Sequence, residues 1–437
     1  MALKICVYED EAYVDFHPLS PTRPVACMRA GILPLFGRAR RYFDQPSICL
    51  SVRHALAGPV AAEHREHPVN IVKREAGQSV LFLNGRIREF GDLPALVKGA
   101  EISTRFVHAG VTVAVLFEAK GWPEIPALTT PDVFERYVNG RPEEFAVHET
   151  TATLYRGNWE LITDIDREIT ADFGFLQRGF SAAESVKVHD GAYIINRERV
   201  HLGAGVELMP TSLIDASPGP VYIGDNTRID SQATIVGPCY IGPNSVVVAG
   251  KIAGSSIGHT CRVGGEVEES VFQSYVNKYH AGYVGHAYVG SWVNFGAMTT
   301  NSDLKNNYSK VIMRLRGHVV DTGTVKVGSF IGDHTKFGIG TLLNTGVNIG
   351  VSCNIFGGTL ITDKEVPSFR WGNSELYKDY HFDKALETMQ RAAERRDVIL
   401  SDEEVAVLRA ISEGQSDDKG VLRFPSSATG PDAPGHS

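Results

Sequence analysis

A surplus of basic residues is missing from this chain: 43 Lys and Arg face 51 Asp and Glu over 437 residues, a net charge of −8. Non-specific nucleic-acid binding needs a basic face that displaces phosphate counterions, so the balance argues against that class. It leaves room for a local basic patch that meets a phosphorylated small molecule. Cysteine is sparse as well. Cys6, Cys27, Cys49, Cys239, Cys261 and Cys353 are scattered, with no CxxC pair. Such a pattern argues against a disulfide framework or a structural zinc site, and for free thiols in a reducing compartment. No apolar run approaches the roughly 20 residues of a membrane-spanning helix. Acidic Glu9, Asp10 and Glu11 arrive before the apolar core of a leader could develop, so no signal peptide is expected and the chain reads as cytoplasmic. What is present is ordinary globular composition, 43% hydrophobic and 22% charged, in a chain long enough for two or three domains.

Residues 1–157 read as an α/β domain. Short β-branched runs near Leu3, Ser47, Val69, Val80 and Val111 have the character of buried strands, with helices expected over 25–43 and 55–67. Strands alternating with helices predict a mainly parallel sheet. Residues 158–185 have helical spacing and read as a connector.

From about Val186 the pattern changes. Aliphatic residues recur every six positions at Ile223, Ile229, Ile235 and Ile241, again at Val289 and Phe295, and then from Ile331 through Phe337, Leu343, Ile349 and Ile355 to Ile361. A glycine often follows, as the tight corner of a coil requires. This self-similarity predicts a stacked β solenoid over 186–366. A polar stretch over 300–326 breaks it and is expected to leave the solenoid as a loop. Helical segments over 367–411, with a capping-box pattern at Ser401 and Glu404, should cover its open end, and 412–437 should be a disordered tail.

Inside the repeat lies KYHAGYVGHAYVGSWVNFGAMTTNSD, residues 278–303. Its H-x-x-Y-x-G, with a lysine just upstream and N-x-G-A downstream, resembles the acetyltransferase half of the bifunctional N-acetylglucosamine-1-phosphate uridylyltransferase/glucosamine-1-phosphate acetyltransferase family. The segments SDLKNNYS, GDHTKFGIGTLLNTG and PSFRWG resemble a divergent subfamily, over almost the full length. The resemblance implies a nucleotidyltransferase-like (Rossmann-like) α/β domain followed by a left-handed parallel β-helix with C-terminal helices, assembled as a homotrimer. It implies His280 as general base, Lys278, Tyr283, Asn294, Asn301, Asp303 and Lys305 as substrate-binding residues, and Ala297 beside acetyl-CoA. In the first domain the candidates for direct phosphate contact are Arg23, Arg29, Asn84 and Arg86.

The departures are specific. The first loop, residues 8–24, has no glycine to cradle a triphosphate, and Arg86 stands where the family places a magnesium-binding aspartate. A cation there argues against magnesium. Lysines expected about a dozen residues before the histidine are replaced by Glu266, Val267, Glu268 and Glu269. Read plainly, His280 is a polar corner residue, Arg23 and Arg29 are surface charges, the 303–316 loop is a solvated extension, and Trp292 and Trp371 are packing residues. A zinc site is disfavoured, because His280 and His286 are six apart and face different ways. The leading expectation is an acetyl-CoA-dependent transferase acting on a sugar phosphate or nucleotide sugar, with no metal in that site. Its alternatives are an active sugar-1-phosphate nucleotidylyltransferase and a non-catalytic nucleotide-sugar-binding protein on a degenerate scaffold.

Overall fold

The computed structural model describes residues 3–44, 46–72, 77–119, 130–180 and 185–414. Apart from its first three residues, the expected tail lies outside them. Strands β1 (Leu3–Tyr8), β2 (Ser47–Ser51), β3 (Ser79–Asn84), β5 (Thr104–His108), β6 (Val111–Phe117) and β7 (Ala146–Glu149) form one sheet in the order β2-β1-β3-β6-β5-β7. A small ribbon pairs β4 (Ile87–Glu89) with β8 (Thr153–Leu154). The sheet is mainly parallel, as the alternation predicts: five strands run one way, and β6 alone runs antiparallel, to both β3 and β5. All six residues of β3 are buried, which is why its run is apolar on both faces.

Two local expectations fail for local reasons. The run near Val69 forms only an isolated bridge to Leu50, because Pro68 precedes it and Asn70 turns into positive φ. The helix expected over 25–43 is broken into 3-10 segments at Val25–Cys27 and Leu35–Arg41, each entered from a proline. Between them the backbone approaches Asp172, whose carboxylate accepts from the Ile32 and Leu33 N–H groups. A Cβ on Gly31 would stand 2.5 Å from that carboxylate.

Helices α1 (Ala57–Glu63), α2 (Leu93–Gly99) and α3 (Pro131–Asn139) belong to the first domain. Helices α4 (Asn158–Thr163) and α5 (Ile165–Leu176) are more than a connector. Ile165, Ile169 and Phe173 share one core with Phe16, Met28 and Leu35 of the first domain and with Tyr240, Tyr288 and Phe330 of the solenoid.

The solenoid is a left-handed parallel β-helix of three walls. Wall A stacks short strands from Val200–Leu202 to Glu365–Val366, and its outer face is covered by the first domain and α5. Wall B includes Arg228–Ile229, Asn277–Lys278, Asn294–Phe295 and Lys336–Phe337. Wall C includes Tyr283–Gly285, Thr300–Asn301 and Leu342–Leu343. Inward side chains form one core: Ile223, Ile241, Ile257, Phe272 and Val289 from wall A are all fully buried. The loop predicted at 300–326 leaves at the corner between walls C and A and carries the hairpin Ile312–Leu315/His318–Asp321.

Past the last coil a second hairpin, Arg370–Asn373 with Leu376–Asp379, ends the parallel ladder. Helix α6 (Phe382–Glu394) follows, then α7 (Asp402–Ser412), whose capping box is the one the sequence predicts. Ala385, Met389 and Leu408 pack on Val351 and Phe369 of the solenoid, while Val407 enters the core of the first domain. The C-terminal helices therefore clamp both domains as well as covering the solenoid's end.

Candidate active site

His280 occupies the corner between walls B and C, exposed, with no side-chain hydrogen bond among the described residues. Its ring meets only Tyr279, edge to face at 5.4 Å. The next coils stack on this corner: Met298 N–H donates to the Ala281 carbonyl, and Gly340 N–H to that of Ala297. Around it Tyr279, Met298, Ile339, Leu342 and Leu360 are exposed apolar side chains. An imidazole in this setting is free to take a proton from an incoming group.

The other motif residues divide. Tyr283 and Ala297 lie half-buried near the corner. Asn294 is on the outer face of wall B, its carboxamide oxygen accepting from Asn277 at 2.7 Å. Two expectations need correction, and a third residue is engaged within its own loop. Lys278 points into the prism, in register between Val263 and Phe295, 1% exposed; its Nζ donates to the Gly264 and His280 carbonyls at 2.9 Å. Burial pulls its pKa down to about 8. Asn301 is also inward, 2% exposed, and both ends of its carboxamide are taken by the backbone of Gly285 at 2.9 Å. Lys305 folds back onto the Lys310 carbonyl within its own loop. Lys278 and Asn301 satisfy protein backbone that the fold would otherwise bury unpaired.

Asp303 joins a group that sequence reading missed. Its carboxylate accepts from Tyr283 Oη at 2.9 Å and from His286 Nδ1 at 2.8 Å, while His286 Nε2 meets Glu269 at 2.8 Å. Glu269, His286 and Asp303 are spaced 17 apart (286 − 269 and 303 − 286), the length of the coil that pairs Val271 with Tyr288. That spacing was the available signal. Burial alone would lower the pKa of His286, but the two carboxylates outweigh it and raise the value from 6.5 to about 9. A raised folded-state pKa gives stabilisation that is complete below about pH 6.5 and is lost as pH rises through about 9; its worth is about 3 kcal/mol. Lys278, pulled down from 10.5, shifts stability the opposite way over pH 8 to 10.5. The check is therefore a comparison. Between pH 6 and 9.5 the wild type should lose more Tm than His286→Gln, and parallel curves would show that the column contributes nothing.

The arginines expected to meet phosphate are committed elsewhere. Arg23 is buried and donates to Ser291 Oγ at 2.8 Å and Asp333 at 3.3 Å, both in the solenoid. Arg29 donates to the Ile32 carbonyl, lies 5.3 Å over the Tyr240 ring, and offers its backbone N–H to Tyr288 Oη. These two clamp the domains together. Arg86 grips both oxygens of Asp10 at 2.7 and 2.5 Å, and Asn84 donates to the same carboxylate at 2.8 Å. Strands β1, β2 and β3 end here, where α/β sheets usually bind ligands. The adjoining cleft, about 250 Å³, is lined by Glu9, Asp10, Glu11, Asp132 and Glu135 against the single cation of Arg53, which Glu9 holds at 2.8 Å. With Asp10 taken by Arg86, the residues present do not fit a magnesium ion at that position.

Comparison with known proteins follows this division. Residues 5–181 match the family described as sugar nucleotidyl transferase, and 220–252 match the bacterial transferase hexapeptide of six repeats. Among curated proteins, a bifunctional sugar-1-phosphate nucleotidylyltransferase/acetyltransferase of Sulfurisphaera tokodaii is 31% identical over 122 residues, 28% of each chain. Bifunctional protein GlmU of Methanococcus vannielii is 32% identical over 144 residues, 32% of each, and that of Synechococcus elongatus 31% over 172 residues, 38% of this chain and 32% of its own. The chain thus spans about a third or less of the curated relatives it matches. Among solved structures, a UDP-N-acetylglucosamine acyltransferase from Campylobacter jejuni aligns over 53% of this chain and 98% of its own, at 14% identity and a TM-score of 0.25, too low to carry weight. Residues 5–181 of this chain thus match the sugar nucleotidyl transferase family and precede a hexapeptide-repeat solenoid, and over 28–38% of its length the chain is similar to these bifunctional proteins.

Proposed function

We propose that the solenoid transfers an acetyl group from acetyl-CoA to an amino group of a sugar nucleotide, with His280 as general base. The observation that carries this is the exposed, unpartnered imidazole at a solenoid corner, with Ala297 stacked beside it and an apolar surface around it. As the acceptor nitrogen attacks the thioester carbonyl, His280 takes its proton; the C–S bond then breaks, and the proton passes to the departing thiolate. Ala297 would lie beside the acyl donor. The apolar residues around the corner would be covered by a neighbouring copy in a trimer, which would complete the site.

Wall C narrows the acceptor. The register sets Glu266 beside Tyr283 and Glu268 beside Gly285, with Lys251 neutralising only Glu268. Such a wall attracts an ammonium and repels a phosphomonoester dianion. Thiol release from acetyl-CoA should therefore be faster with a nucleotide-linked amino sugar than with an amino-sugar-1-phosphate. Equal rates, or no release with any amine, would sink the reading. The first domain, with Arg86 closing on Asp10, is assigned a supporting rather than a nucleotidylyl-transferring role. That part predicts no pyrophosphate release from UTP or dTTP with sugar-1-phosphates, with or without magnesium.

A further inference from the structure

A second cavity, about 310 Å³, lies between the outer face of wall B and the C-terminal end of α6. Its lining has no carboxylate: Lys336 comes from wall B, Arg391, Arg395 and Arg396 from the helix end. Arg391 is paired with Glu387, but no acidic side chain pairs with Lys336, Arg395 or Arg396 among the described residues. In a chain of net charge −8 this convergence is not the average surface. Like charges held together need an anion to offset them. The charges are also partly desolvated: burial pulls Lys336 to about 8, while burial followed by repulsion from Arg262 and Arg395 lowers Arg396.

The rest of the lining suits the remainder of a nucleotide. Tyr275 and Trp292 stack at 4.0 Å with planes 2° apart, forming an aromatic ladder along the edge of wall B. Below it, the bond between Asn277 and Asn294 leaves the Asn294 amide N–H₂ and the Asn277 carboxamide oxygen free as a donor and an acceptor among the described residues. Phosphates need cations, while a planar base and its sugar need aromatic surface and amides. The cleft at the ends of β1, β2 and β3 offers the reverse, five carboxylates against one paired arginine.

We infer that this pocket on wall B, and not the cleft of the first domain, holds a nucleoside diphosphate, with its phosphates on Lys336, Arg395 and Arg396. That moiety occurs both in free nucleotides and within coenzyme A. The inference stands on the pocket's own lining and does not require His280 to be a base.

Isothermal titration of the full chain with ADP, UDP and CoA tests it. Saturable binding should weaken at least tenfold in Arg395→Ala/Arg396→Ala, weaken with added salt, and persist in His280→Ala. Both arginines reach solvent, so the double variant should melt like the wild type; Lys336→Met provides a second, independent loss. Binding of CoA alone would assign the pocket to the acyl donor, and binding of ADP or UDP as well would assign it to nucleotides in general. Equal affinity in wild type and double variant, or no saturable binding of any of the three at millimolar concentration, would overturn the inference.

Discussion

His280→Ala should lower kcat/KM for acetyl transfer by about 10²- to 10⁴-fold, the range a positioned base contributes. Stability should move by less than about 0.5 kcal/mol, because the side chain is exposed and bonds to nothing else described. The separation of the two effects is the informative part. A fall in turnover with an unchanged melting curve places the imidazole in the reaction. Unchanged turnover removes it, whatever the fold does. His280→Gln is a useful companion, since it keeps a polar side chain at the corner but cannot shuttle a proton. Its rate should match that of the alanine variant. A rate close to wild type would mean that position 280 orients the acceptor and takes no proton.

Glu168→Ala should destabilise the protein by about 3–5 kcal/mol, the range for removing one partner of a buried ion pair. Glu168 is 3% exposed on α5, forms an ion pair with Arg38 Nε at 2.9 Å, and accepts from Arg41 at 2.7 Å and Arg167 at 3.2 Å. Arg38 is 1% exposed, and without Glu168 its guanidinium keeps only backbone carbonyls of the β4 strand and Tyr155 Oη. The damage should not stay in the first domain, because α5 packs on the solenoid through the shared core of Ile169, Phe173 and Tyr240. Limited proteolysis and thermal melts should show the first domain and wall A loosening together. Arg41 and Asp172 remain in contact at 3.3 Å, so Glu168→Gln, which can still accept from Arg41, should lose less. A melt within a degree of wild type for Glu168→Ala would show that the network is marginal.

The six-residue step was legible because a prism demands an apolar side chain at each wall, and nothing else places aliphatics so regularly. It faded over the stretch that matters most. Successive wall A residues Ile223 and Ile241 are 18 apart, Ile257 and Phe272 only 15, and Phe272 and Val289 17. Within each coil the step persists, and Lys278 and Asn301 stand six residues after Phe272 and Phe295, but as polar residues they drop out of a pattern read from aliphatic side chains. Their types also pointed outward, since a lysine inside a packed core is rare. The capping box at Ser401 and Glu404 could be read because both partners lie within one turn. The Arg23–Asp333 and Arg38–Glu168 contacts could not, because 310 and 130 residues separate the partners. The basic pocket under α6 combines residues from two elements that only the folded chain brings side by side.

Lys278 and Asn301 have a consequence for how the solenoid can change. In a stacked array each unit meets only its neighbours, so whole coils can in principle be duplicated or deleted. Between Ile223 and Ile257 the interior is mainly aliphatic, and one rung can more readily stand in for another. At Lys278 the amine must find the carbonyls of Gly264 and His280, and Asn301 must find Gly285; a spliced-in rung would meet neither. The two polar residues act as keys against slippage of the stack at the coil bearing His280, so insertions should be tolerated on either side of it but not within it.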